Sequence, residues 1–159
     1  MAINNLGTAA SFATRNNPTF TGTVNWSGAV LNTNAATIAT SNTTTSTSFT
    51  DLATVGPSVT LTTGTKVLVI LTSRTANDTD SGSTSMSFAV SGASTVAASS
   101  TRSFEWQKAG GLVPQIKASA AFMLTGLTAG SNTFTAKYLA GAGTGYWYDR
   151  SVIVIDLGS

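Results

Sequence analysis

The residues able to do chemistry in this 159-residue chain are few. Its carboxylates are Asp51, Asp78, Asp80, Glu105, Asp149 and Asp156, set against four lysines and four arginines. Histidine and cysteine are both absent. The commonest general base is therefore missing, and no disulfide or thiolate metal site can form. A serine nucleophile would have to lean on lysine. No Ser-x-x-Lys spacing exists: Thr63 stands three residues before Lys66, and Glu105 three before Lys108. A pair of carboxylates could in principle flank a glycosidic bond, but spacing along the chain neither supports nor excludes it. Asp78-Thr79-Asp80-Ser81-Gly82 is the one metal-like spacing, with alternate carboxylates that could offer oxygen ligands to Ca²⁺. It lacks the continuing ligands and the terminal glutamate of an EF-hand loop, and the same residues make ordinary turns. Gly141-Ala-Gly-Thr-Gly145 has the glycines of a phosphate loop, but strand-preferring Tyr146, Trp147 and Tyr148 follow it where a helix is required. These features point to a non-enzymatic protein with no cofactor.

Binding chemistry is better represented. Tyr146-Trp147-Tyr148 on a strand would put the two tyrosines on one face and Trp147 on the other. Such aromatics stack on sugar rings, or fill cores and subunit contacts. Trp106, beside Glu105 and Lys108 and before Ala109-Gly110-Gly111, poses the same choice. Trp106, Tyr146, Trp147 and Tyr148 are the candidate surface-binding residues.

The elements that would position them are strands. Only 9% of residues are charged, and polarity comes instead from 29 Thr, 20 Ser and 10 Asn. Threonine suits a half-wet pleated surface, and Ser and Asn suit turns. Net charge is +2, and the cations are scattered singly, which excludes a clustered nucleic-acid surface. No apolar run approaches the ~20 residues of a membrane span, and the start carries no secretion signal. Synthesis in the cytoplasm is expected, with export only on a particle.

Residues 1–40 carry Phe12, Phe20, Val24 and Trp26 among Asn, Gly, Ala and Thr. They hold too few large residues for a core, yet more aromatics than a disordered tail. The expectation is an N-terminal arm or stem that buries these four side chains against copies of itself or another protein. Residues 39–48 read as a polar linker. Residues 41–159 read as one β-sandwich of jelly-roll type. Lys66–Thr72 is a continuous apolar run, as expected of a central strand buried on both faces. Met86, Phe88 and Val90 alternate with polar or small residues, and further strands fit 93–98, 102–107, 116–125, 132–139 and 146–157.

Asn-Asn-Pro-Thr-Phe-Thr-Gly-Thr-Val (16–24) resembles segments common in phage tail-fibre and related virion proteins. Thr-Ser-Phe-Thr-Asp-Leu-Ala (47–53), Gly-Pro-Ser-Val-Thr-Leu-Thr-Thr-Gly-Thr (56–65), Val-Leu-Val-Ile-Leu-Thr (67–72), Met-Ser-Phe-Ala-Val-Ser-Gly (86–92), Thr-Gly-Leu-Thr-Ala-Gly-Ser-Asn-Thr-Phe-Thr-Ala-Lys-Tyr (125–138) and Asp-Arg-Ser-Val-Ile-Val-Ile-Asp-Leu-Gly (149–158) together resemble a β-sandwich module of tailed-phage structural proteins. The resemblance implies a virion surface location and a homotrimer. With a short arm and no long shaft, it implies a capsid decoration (cement) protein bound to the major capsid protein. The alternative is a short tail fibre or receptor-binding tip that recognises a host surface glycan or protein.

Overall fold

The computed structural model describes residues 31–111 and 114–158. Phe12, Phe20, Val24 and Trp26 lie outside the described residues. Nine strands form: β1 Thr33–Ile38, β2 Asn42–Thr44, β3 Ser58–Thr63, β4 Lys66–Asn77, β5 Ser83–Gly92, β6 Phe104–Gln107, β7 Ile116–Thr125, β8 Gly130–Ala140 and β9 Gly145–Gly158. A single 3-10 turn covers Ser100–Arg102, and no α-helix occurs among the described residues.

The strands make two antiparallel sheets. One has the order β1-β9-β4-β7, with β2 also pairing β9; the other is β3-β8-β5-β6. The chain changes sheet between β2 and β3, β3 and β4, β4 and β5, β6 and β7, β7 and β8, and β8 and β9. This is the all-β, jelly-roll-like sandwich expected from the alternating pattern. The inner faces supply the core: Val67, Val69 and Leu71 from β4, Met86, Phe88 and Val90 from β5, Phe134, Ala136 and Tyr138 from β8, and Trp147, Val152 and Val154 from β9. Each such large apolar side chain contributes about 1.5–3 kcal/mol by leaving water. The Tyr138 and Trp147 rings meet edge-on at 5.3 Å, a preferred aromatic geometry.

Three expectations change. The polar stretch 39–48 is not a free linker, and the sandwich begins before residue 41. β1 pairs with β9 from Thr33↔Ile155 to Ile38↔Arg150, and β2 pairs Asn42↔Trp147. Residues 93–98 form no strand beyond a Val90↔Val96 bridge, and 102–107 shorten to β6. Lys66–Thr72 is central, but only Val67, Val69 and Leu71 are fully buried, whereas Leu68 and Ile70 face outward and stay half-buried.

The early segment is held by Arg150, which is fully buried. Its Nη1 donates to Thr54 O (3.2 Å) and Gly56 O (3.3 Å), and its Nη2 to Thr40 O (3.1 Å) and Asn42 Oδ1 (3.0 Å). The guanidinium lies 5.4 Å from the Tyr138 ring centre. The Tyr138 hydroxyl donates to Gly56 O at 2.7 Å, and burial pushes that phenol far above its usual pKa. Arg150 faces inward because β9 carries a bulge. Tyr148 pairs with Arg74 and Ser151 with Thr72, so Asp149 and Arg150 together oppose Ser73. Asp149 takes φ 46°, and the Ser73 hydroxyl lies 2.9 Å from Tyr148 O. The extra residue lets Trp147 and Arg150, three apart, both point into the core.

Replacing Arg150 by alanine takes the side-chain donor from Thr40 O and Thr54 O, leaves Gly56 O and Asn42 Oδ1 to Tyr138 and Thr54 N, and opens a cavity where the guanidinium lay. The expected loss is about 2–5 kcal/mol, read as a lowered urea midpoint, with fast amide exchange spreading through residues 40–56. A midpoint unchanged within error would contradict the clamp.

Candidate functional site

The sequence candidates separate into three environments. Trp147 is fully buried between the sheets. It is a core residue, which corrects its inclusion among surface-binding side chains. Gly145 packs beneath it, since a Cβ there would run into the indole. Tyr146 and Tyr148 do share the opposite, outer face, and both are half-buried. Trp106 is half-buried on β6. It pairs with Thr84, whose hydroxyl meets that of Thr75 at 2.8 Å inside the sandwich. Directly paired residues share a face, so Trp106 lies on the inner side of its strand, at the β6 edge. Three of the four aromatics thus gather at one end of the sandwich without forming one continuous patch.

The Asp78–Asp80 turn stands at the same end, and its carboxylates are already engaged. Asp78 Oδ1 accepts from Thr144 N at 2.7 Å and from the Thr79 hydroxyl at 2.9 Å. Asp80 Oδ1 meets Lys108 Nζ at 2.8 Å. Lys108 itself is 6% exposed and also donates to Asp78 O at 3.1 Å. An ammonium therefore occupies the place a metal ion would take beside Asp80. Asn77, fully buried, completes the turn: its Nδ2 donates to Ser83 O and Ala142 O, and its Oδ1 accepts from Thr79 N. Among the described residues no three His, Cys, Asp or Glu side chains converge. The glycine-rich 141–145 stretch is the β8–β9 turn fastened to this network.

The feature that composition and motifs concealed is a contrast between the two outer faces. On the β3-β8-β5-β6 sheet the outer side is a hydroxyl ladder. Ser58 donates to Thr135 Oγ1 at 3.0 Å, and the Thr60 and Thr133 hydroxyls lie 2.9 Å apart. Nearby, Lys137 pairs with Asp51 at 2.7 Å. This is a surface made for water. On the β1-β9-β4-β7 sheet, the paired outward positions read Ala35, Ile153, Ile70 and Ala121 in one row and Thr33, Ile155, Leu68 and Met123 in the next. Met123 is 65% exposed. Among the described residues no element packs over these rows. The signal is present in the unbroken apolar runs Val67–Leu71 and Val152–Ile155.

At one end of this apolar face stands a polar cluster. The Arg74 guanidinium lies 4.6 Å from the Tyr148 ring centre, with Nε 3.3 Å from Asp149 Oδ2 and Nη1 2.9 Å from Gln115 Oε1. Lys117 stands opposite Arg74 on β7.

The backbone and hydroxyl donors around Asp78 and the Lys108 ammonium beside Asp80 hold both carboxyls below the usual range of 3.8. A lowered folded pKa favours folding when the group is ionised. The contribution is complete above about pH 4 and is lost as pH falls through the lowered values. Urea midpoints should therefore decline as pH drops from 5 to 2, and the decline should be shallower in Asp78→Asn and Asp80→Asn. Equal slopes in all three proteins would refute the assignment.

Comparison with known proteins adds the fold alone. No family model matches the chain, and no curated protein does. Among solved structures, the Eiger TNF from S. frugiperda matches with a TM-score of 0.51 at 12% identity, covering 80% of this chain and 94% of that one. The described residues are thus similar in fold to a TNF-type β-sandwich.

Proposed function

We propose that this chain is a non-enzymatic structural protein of a tailed-phage particle, a homotrimer that decorates the outer surface of the capsid shell by binding the major capsid protein. The observation that carries the reading is the difference between the two outer sheet faces. A water-facing face rich in Thr and Ser and an apolar face lined by Leu68, Ile70, Ile153, Ile155 and Met123 suit a subunit that meets solvent on one side and another protein on the other. The resemblance of segments between residues 16 and 158 to phage virion proteins supports that setting. Decoration then works mechanically: area buried across shell subunits raises the free energy needed to separate them.

Self-association is the first use of the apolar face. Four strands at ~4.8 Å spacing and about six residues at ~3.3 Å give a flat area of roughly 400 Å². That is half of the ~800 Å² per partner in a stable interface, so a second surface must contribute. In a threefold ring each subunit offers two different surfaces, one to each neighbour, and both are counted in its buried area.

A short fibre or receptor-binding tip is the second reading. It is favoured by the half-exposed Trp106, Tyr146 and Tyr148 at one end of the molecule. It ranks lower because Arg74 already covers the Tyr148 ring that a sugar would stack on.

Copy number per particle separates the two. Quantitative mass spectrometry against the major shell protein should give a ratio near that of the shell lattice, whereas a ratio far below it would assign the chain to the tail. Ile70→Asp, at an outward position, should leave the fold intact and convert the oligomer to monomer in sedimentation. An unchanged oligomer would exclude this face from the contact.

A further inference from the structure

The apolar face ends in an uncompensated charge. Lys117 lies directly opposite Arg74 across the β4–β7 ladder, and like charges in that position repel. Arg74 is answered by Asp149, Gln115 and the Tyr148 ring. Lys117 is exposed and makes no ion pair among the described residues. The chain's acids are nearly all committed. Asp51 pairs with Lys137, Asp80 with Lys108 and Asp149 with Arg74. Asp78 accepts from Thr144 N, and Asp156 from Gly64 N and Gly158 N. Glu105 differs. It is exposed on the edge strand β6, and among the described residues only the Ser85 hydroxyl donates to it, at 2.9 Å.

The two residues also stand at the same height. Arg74, which marks the level of Lys117, is three residues before the end of β4 at Asn77; Ser85, which marks the level of Glu105, is two residues after the start of β5 at Ser83. At ~3.3 Å per residue both levels fall about 7–10 Å from the same β4–β5 turn. Rotation about a threefold axis running along the strands preserves height, so it can bring Glu105 of one copy to Lys117 of the next. Lys66, also exposed and outside the ion pairs, sits at the far end of β4, about 26–30 Å from these levels at the same rise, and cannot be reached this way.

Resting on the trimer reading above, we infer that the second surface of the interface is the β6 edge: it docks on the outer face of the neighbouring copy's β1-β9-β4-β7 sheet, with Glu105 against Lys117. The occupant of the apolar face is thus a second copy of this chain, oriented by charge.

Charge reversal in the full-length chain tests this. Lys117→Glu and Glu105→Lys should each weaken the trimer by about tenfold or more in sedimentation equilibrium, and the double variant should return to within about threefold of the parent. Glu105→Lys should fail to rescue Lys66→Glu. Thermal melts would identify any variant that misfolds; for such a case Lys117→Gln and Glu105→Gln should each weaken the trimer by a smaller factor, and the double Gln variant by no more than either single one. A trimer indifferent to both single reversals, or weakened without rescue, would overturn the docking inference and leave the trimer standing. A chain monomeric at every concentration would overturn both.

Discussion

The buried guanidinium of Arg150 is the constraint on which the rest of the sandwich depends. It has no carboxylate partner; its four acceptors are the carbonyls of Thr40, Thr54 and Gly56 and the amide oxygen of Asn42. A cation left alone in such a site would be far more stable unfolded. The interaction therefore works in one direction: once β9 places Arg150 inside, segment 40–56 must lie against it. That segment has few large apolar residues to hold it by burial, and its course is dictated by acceptors the core requires. Through it β1 and β2 are tied to β9, which gives the sheet its full width.

That width determines what the protein can do. Without β1, the outer side of the sheet would be a strip of three strands; with it, Ala35 and Thr33 extend two rows across to Ala121 and Met123. The opposing sheet presents hydroxyls joined in cross-strand pairs, which satisfy one another and water together. In a chain with so few charges, that ladder supplies the polarity of this face. The difference between the faces is what suits this β-sandwich to the proposed role of a subunit, and TNF-like architecture by itself implies nothing about the partner.

Much of the fold was legible because threonine, valine and isoleucine mark strands wherever they alternate or run together. β4, β7, β8 and β9 stand close to where the pattern puts them. The failures have physical causes. The stretch 39–48 reads as linker because nothing local holds it; Arg150, more than a hundred residues away, does. The bulge at Asp149 is invisible because a serine hydroxyl on the neighbouring strand stabilises it. Trp147 and its flanking tyrosines could be divided between two faces by parity, but only the packed sheet shows which face is core. The aspartates of the β4–β5 turn look like ligands in sequence because the lysine that neutralises one of them comes from the distant β6–β7 connection.

The central claim is that the apolar outer face is covered by copies of the same chain. Sedimentation equilibrium of the full-length protein across a wide concentration range measures this most directly. The account predicts a species of three times the 16.1 kDa chain mass at micromolar concentration, dissociating on dilution. A single species of one chain mass throughout would contradict it.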